Sequence, residues 1–197
     1  MIRQKISNII ISLAWLIFAY QHLNSFIKMQ KMSLLLFFVS ESLVFLLFII
    51  RENPKSTSLN PWHWFCALTG TFLTLLYRPS LDIIEGELGK TLLIIGIIFQ
   101  IASLFSLNRS LGIVPARRSI KTYGMYKIIR HPMYFSYIIL FIGYLIDNTT
   151  LWNSIILGIN ILFLVLRIIN EEKYLTSHIE YQEYMKKVRW KLIPYIY

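Results

Sequence analysis

The chain has 197 residues, 56% of them hydrophobic and 15% charged, with a mean hydropathy of +0.56 and a formal net charge of +10. That balance is too apolar for a soluble domain and ordinary for a polytopic membrane protein. A single cysteine, Cys66, excludes an intramolecular disulfide and a cysteine-based metal cluster, and the sequence has neither a phosphate-loop nor a dinucleotide glycine pattern.

A bilayer crossing takes about 17 to 25 apolar residues. Six stretches approach that length: 6–27, 33–50, 61–77, 91–107, 133–146 and 150–169. The expected fold is therefore all-α, a polytopic bundle of five to six transmembrane helices. The fifth stretch is short and must sit shallow, thin the bilayer or borrow Asp147 and Asn148. The first follows Arg3 and Lys5, as a signal peptide would, but it runs too long and no small-x-small cleavage site follows, so it reads as a retained span. No internal repeat or low-complexity linker divides the chain. Residues 1–197 read as one domain, with scaffold helices in 1–107 and the functional segment in 108–197.

Fifteen of the 20 lysines and arginines fall at the N-terminus, in the second and fourth loops and in the C-terminal tail. Only Lys28, Lys31, Arg78 and Lys90 fall in the alternate loops, where Asp82, Glu85 and Glu87 add negative charge. The basic excess is thus a topology signal rather than a nucleic-acid signal, and it predicts both termini on the cytoplasmic side. An AT-rich style of composition, heavy in lysine, isoleucine and asparagine, suggests a bacterium and its inner membrane.

Trp62, Trp64 and Tyr77 bracket the third stretch as interfacial aromatics do. Gly70 and Gly96 read as helix-packing positions. Glu41 lies in the middle of the second stretch, where an ionised carboxylate costs about 3 kcal/mol. It reads either as a group facing a substrate cavity or as a neutral interhelical contact. Gln100, in the fourth stretch, is a weaker signal of the same kind.

The connection 108–131 is longer than an ordinary loop and carries six basic residues together with Gly112, Gly124, Tyr123 and Tyr126. Its mixture of tyrosine and aliphatic residues suggests a lid or an interfacial segment, with a short helix over 122–130 ended by the His131-Pro132 step. Pro132 then suits the first position of the fifth helix, with His131 at the cap. The exposed N–H groups at that helix start make a seat for an anion. At the far end of the returning helix, Arg167 and Glu171 stand four residues apart and share one face, with Glu172 about 100° further round. Arg167 alone reads as a snorkelling cation, and the glutamates alone as a solvated helix end. Together with the His-Pro corner they read as one polar pocket.

Gly124-x-Tyr126-x3-Arg130-His131-Pro132-x-Tyr134, then Arg167-x3-Glu171-Glu172-x2-Leu175, then Tyr181-x2-Tyr184 and a late Pro194 resemble the isoprenylcysteine carboxyl methyltransferase family. That family belongs to a broader group of integral-membrane methyltransferases that includes phospholipid N-methyltransferases. The resemblance runs from about Leu107 to the C-terminus. It implies S-adenosyl-L-methionine as methyl donor in a cytoplasmic, non-Rossmann pocket, and a lipophilic acceptor entering from the bilayer. It further implies cofactor contacts from Tyr126, His131, Pro132, Met133, Tyr134 and Glu171, with Arg118 and Lys121 in the upstream loop, and a substrate-facing, catalytic Arg167. Tyr134 is followed by Phe135-Ser136 where relatives often carry a glycine, which implies either a narrower pocket floor or a different helix packing.

These residue types suit the implied chemistry. His131 and the helix start suit the donor's carboxylate, Glu171 its ammonium or ribose hydroxyls. The faces of Tyr126 and Tyr134 suit the sulfonium by cation–π attraction, about 0.5 to 2 kcal/mol. Methyl transfer is an in-line displacement governed by alignment. Arg167 would orient a carboxylate acceptor by its fork; an amine or thiol acceptor would first lose a proton, and no dedicated base stands out. Carboxyl O-methylation is the leading expectation, with phospholipid N-methylation or thiol S-methylation open. A non-enzymatic transporter or complex subunit, and a nicotinamide-dependent membrane reductase, are the competing classes.

Overall fold

The computed structural model describes residues 2–78 and 86–197; Asp82 and Glu85 of the third loop lie outside the described residues. Among the described residues seven helices carry the fold: α1 (Ile2–Met29), α2 (Met32–Ile50), α3 (Pro61–Phe72), α4 (Glu87–Leu107), α5 (Pro132–Asp147), α6 (Leu151–Leu175) and α7 (Ile179–Lys187). α1, α2, α4 and α6 are each long and apolar enough to cross a bilayer, and α5 is a shorter apolar helix. Its 16 residues rise about 24 Å, short of a hydrocarbon core of about 30 Å. α3 has 12 residues and continues into a 3-10 turn, Leu73–Leu76. The protein is an all-α membrane bundle, and the six expected stretches are α1 to α6.

The helix starts follow local chemistry. Asn60 caps α3 by accepting from the Trp62 N–H at 2.9 Å, with Pro61 in the first turn. Thr150 caps α6 through the Asn153 N–H. α5 starts on Pro132, but the His131 side chain makes no cap bond; its ring is used elsewhere.

Packing is pairwise: α1 lies along α2, α4 along α5, and α3 along α6, with α2 also against α4. The α4–α5 contact is close because glycines line it. A Cβ on Gly96 would come within 2.8 Å of Leu140 Cγ, and one on Gly143 within 2.9 Å of the Leu93 backbone nitrogen. Gly70 plays the same part between α3 and α6, facing Phe163 and the Arg167 stem. Backbones that approach this closely gain van der Waals contact, which is what holds helices together in lipid.

The N-terminal half of α1, the C-terminal end of α2, the start of α3, the end of α4, the start of α5 and the end of α6 gather at one end of the bundle. Arg51 Nε reaches Asn8 Oδ1 at 2.6 Å and Arg109 Nε reaches the Ile50 carbonyl at 2.8 Å, tying three of those ends together. The long connection closes over this end. Residues 52–58 run beside 109–117, through a two-residue antiparallel ladder of β1 (Ser56–Thr57) and β2 (Ala116–Arg117) and flanking bonds from Glu52 N to Arg109 O and from Ser58 N to Pro115 O. The helix expected over 122–130 is a correction: only Gly124–Lys127 form a 3-10 turn. Gly124 has φ +57°, and a Cβ there would meet Ser106 Oγ of α4, so a continuous helix does not fit against that neighbour.

Candidate functional site

At this gathered end lies a cavity of about 140 Å³ walled by the long connection, the first turns of α5, the last turns of α6 and α7. Among the residues singled out from the sequence, Arg118, Lys121, Tyr126, His131, Met133, Tyr134, Arg167 and Glu171 all line it. Pro132 does not. It is fully buried at the first position of α5, where it starts the helix rather than facing the cavity.

Tyr134 is the hinge of the arrangement. Its hydroxyl donates to Glu171 Oε2 at 2.7 Å, joining the first turn of α5 to the end of α6. One side of its environment holds the His131 ring, stacked with centroids 5.5 Å apart; another holds the Arg167 guanidinium, with Cζ 5.1 Å from the ring centre. Glu171 thus faces the cavity as a carboxylate already held by one donor.

The two glutamates divide the work. Glu172 is buried and accepts from Arg130 Nε at 2.7 Å and His131 Nε2 at 3.1 Å on one oxygen, with Lys191 Nζ 3.5 Å from the other. His131 thus lines the cavity with its Nε2 held by Glu172. The arrangement also draws in the tail. Arg130 N donates to Trp190 O and His131 N to Lys191 O, each at 2.9 Å, while Arg130 Nη1 reaches the Val188 and Arg189 carbonyls.

Arg118 brings a guanidinium to the cavity wall. Burial pushes its guanidinium down from the ordinary arginine range, while Glu171 and Glu52 act against that shift. Its Nε is buried and has no hydrogen-bond partner among the described residues. Gly112 makes room for it: a Cβ there would stand 2.4 Å from Arg118 Nη1. Tyr126 is held by the Tyr184 hydroxyl, which donates to its carbonyl at 2.7 Å. Burial, reinforced by Glu171, raises the Tyr126 phenol well above its usual value, so it stays protonated.

Arg167 is anchored in the wall. Nη1 donates to Thr71 Oγ1 of α3 at 3.2 Å and Nη2 to the Ile113 carbonyl at 3.0 Å, leaving a buried Nε without a partner among the described residues. The Phe135-Ser136 departure resolves as packing. Ser136 Oγ returns to the Met133 carbonyl and Phe135 packs edge-on against Phe99 of α4; neither lines the cavity.

Sequence reasoning missed the Arg130–Glu172 pair, Tyr137 on the cavity wall and the anchor at Glu52. Glu52 accepts from Ser110 Oγ at 2.6 Å, from Ser119 N at 2.8 Å and from the Ser119 hydroxyl, which fixes the cavity rim. The adjacency of Arg130 to the histidine was the one visible signal.

A family model described as phospholipid methyltransferase matches residues 84–182, half of the chain. The chain belongs to that family. No curated protein matches it. The match extends the resemblance upstream of Leu107 to include α4, whose glycines seat α5 and whose Ser106 seats Gly124. The protein is a membrane methyltransferase, and methyltransferases of this family generally draw on S-adenosylmethionine.

That cofactor carries a carboxylate, an ammonium, ribose hydroxyls and a sulfonium, and the cavity's donor set fits it. The orphaned Arg118 Nε and the N–H groups at the start of α5 match the carboxylate. Glu171 matches the ammonium or the ribose. The aromatic faces of Tyr126 and Tyr134 match the sulfonium.

Proposed function

We propose that the protein transfers a methyl group from S-adenosylmethionine to the amine of a phospholipid headgroup reached from the bilayer. The observation that carries this reading is the convergence of Arg118, Tyr126, Tyr134 and Glu171 on one cavity that sits at the ends of apolar spanning helices. When bound, the cofactor would supply an electrophilic methyl carbon for transfer to that amine.

The residues around it bind and orient. Arg118 and the α5 start would hold the carboxylate, Glu171 the ammonium or ribose, and the rings of Tyr126 and Tyr134 would face the sulfonium. Met133 and His131 close the side toward α5, and Lys121 caps the rim. Water exclusion comes from the long connection, held down by Glu52 and the β1–β2 ladder.

The acceptor side turns on Arg167. Nη1 and Nη2 each spend one of the guanidinium's five N–H groups on Thr71 and Ile113, which fixes the side chain in the wall. Its unpartnered Nε and its charge suit an anionic oxygen of a headgroup phosphate. The family description supports the same choice over carboxyl O-methylation. In the membrane of its cell, the cavity end faces the cytoplasm with both termini, as the basic residues of 109–130 and 173–191 favour. The fit is to a bacterial inner membrane.

Labelled-methyl transfer by detergent-solubilised protein into a total lipid extract tests the reading. Label in an amine-bearing phospholipid, dependent on added S-adenosylmethionine, is the expected result. Label in a base-labile methyl ester, or no binding of S-adenosylhomocysteine, overturns it.

A further inference from the structure

Residues 188–197 follow α7 and return to the point where α5 starts. The Trp190 and Lys191 carbonyls accept from the Arg130 and His131 N–H groups, each at 2.9 Å, so the tail runs beside the His-Pro corner. Leu192 is buried in one cluster with Tyr134 of α5 and with Leu164 and Ile168 of α6. Ile168 stands about 10 Å short of the end of α6 along its axis. The tail therefore sits at the depth where α5 and α6 pass from headgroups into hydrocarbon.

This tail is a preformed loop. The Lys191, Leu192 and Ile193 N–H groups all donate to the Tyr197 carbonyl, and the Trp190 and Tyr195 rings lie 5.3 Å apart. What the loop turns outward is apolar: Ile193, Tyr195 at 87% exposure and Ile196 at 76%. Three exposed cations, Lys186, Lys187 and Arg189, precede it, and none enters an ion pair among the described residues. Lys191, by contrast, faces Glu172. Glu183 is the one acidic residue from 183 to 197. Beside the tail, the long connection also turns Lys127 and Ile128 outward. Aromatic and aliphatic side chains flanked by unpaired cations fit a layer of anionic headgroups over acyl chains.

We propose that residues 186–197 form an interfacial anchor for an anionic lipid surface, and that its seating there keeps the cofactor cavity in order. The second half rests on the methyl-transfer reading, which assigns the cavity its ligand. Two backbone bonds carry the coupling. The Trp190 and Lys191 carbonyls hold Arg130 and His131, and these residues grip Glu172 and lead into the turn that carries Met133 and Tyr134. A tail lifted from the surface gives up those bonds and the Leu192 contact together, and the α5 wall of the cavity loosens. The coupling is reciprocal, so a ligand in the cavity also steadies the seated tail.

The test uses the full-length protein in nanodiscs of phosphatidylcholine alone, or of phosphatidylcholine with an equal share of phosphatidylglycerol. S-adenosylhomocysteine should bind about fivefold tighter in the anionic discs, and the amides of 188–197 should exchange more slowly there. That ligand is a zwitterion, so surface potential alone does not concentrate it. Both differences should shrink in about 0.5 M salt, where the screening length falls to about 4 Å. Lys186→Gln, Lys187→Gln and Arg189→Gln combined, all at exposed positions, should match the parent in neutral discs and lose the anionic gain. Ile193→Ser with Ile196→Ser should speed tail exchange in both discs. Equal affinity and equal exchange in the two discs overturn the proposal, as does a triple variant that retains the gain. Slower tail exchange without tighter binding overturns the coupling to the cavity. Parental protein that binds no S-adenosylhomocysteine in either disc overturns the methyl-transfer reading instead, while tail exchange still decides the anchor.

Discussion

Arg130 Nε stands 2.7 Å from Glu172 Oε1, with both residues buried, and this one bond joins the end of the long connection to the end of α6. Because His131 shares the same carboxylate oxygen and Arg130 also holds the Val188 and Arg189 carbonyls, the pair sets the position of three chain segments. Removing Glu172 leaves a buried guanidinium uncompensated, at a cost of about 3–5 kcal/mol. Glu172→Ala is expected to lower the thermal unfolding temperature in detergent by several degrees and to abolish S-adenosylhomocysteine binding together with it. A variant that keeps the parental unfolding temperature would contradict the structural role.

Glu171 is expected to behave differently. Its carboxylate faces the cavity and is held by the Tyr134 hydroxyl. Hydrogen bonds to a charged group are worth about 1.5–3 kcal/mol, so Glu171→Gln should weaken S-adenosylhomocysteine about ten- to hundredfold with little change in unfolding temperature. Tyr134→Phe, which removes only the orienting hydroxyl, should weaken it about fivefold. Calorimetric titration of the detergent-solubilised variants reads both.

Arg167→Lys keeps the charge and loses the contacts to Thr71 and Ile113. Methyl transfer should fall about tenfold while S-adenosylhomocysteine affinity stays within about twofold. An unchanged turnover would mean that the guanidinium does not set the acceptor's position.

Gly143 meets a backbone nitrogen rather than a movable side chain, so a methyl there cannot be accommodated by a rotamer change. Gly143→Ala should cost about 1–3 kcal/mol through the α4–α5 contact. A Cβ added at Gly158 would meet nothing within 4 Å, and Gly158→Ala should be neutral or stabilising by roughly 1 kcal/mol. Comparing the two unfolding temperatures checks the packing directly.

Glu52 carries a pH signature. Burial alone would raise its carboxyl, but the Ser110 and Ser119 hydrogen bonds, with Lys121 nearby, outweigh that and hold it at about 2 against an ordinary value of 4.5. A depressed folded-state value contributes stability above the unfolded value, and that contribution is lost as pH falls through the folded one. The rim should therefore loosen between about pH 4.5 and 2, read as rising hydrogen exchange in residues 109–121. Glu52→Gln should remove the pH dependence in that window.

The sequence by itself determined the six apolar helices, because hydropathy and span length are one-dimensional quantities that residue order states directly. It also marked the residues of the cavity, since His131, Tyr134, Arg167 and Glu171 are ionisable or aromatic groups at helix ends, where an apolar span has no other use for them. What only the tertiary structure decided is which of these groups meet. Adjacent glutamates look alike in a string, yet their separation of about 100° on α6 sends Glu172 to Arg130 and His131 and leaves Glu171 to the cavity. The same holds for Asn8 and Arg51, 43 positions apart, which meet only because α1 lies along α2. Helix periodicity says which way a side chain points; the partner it finds depends on the crossing of helices far apart in sequence.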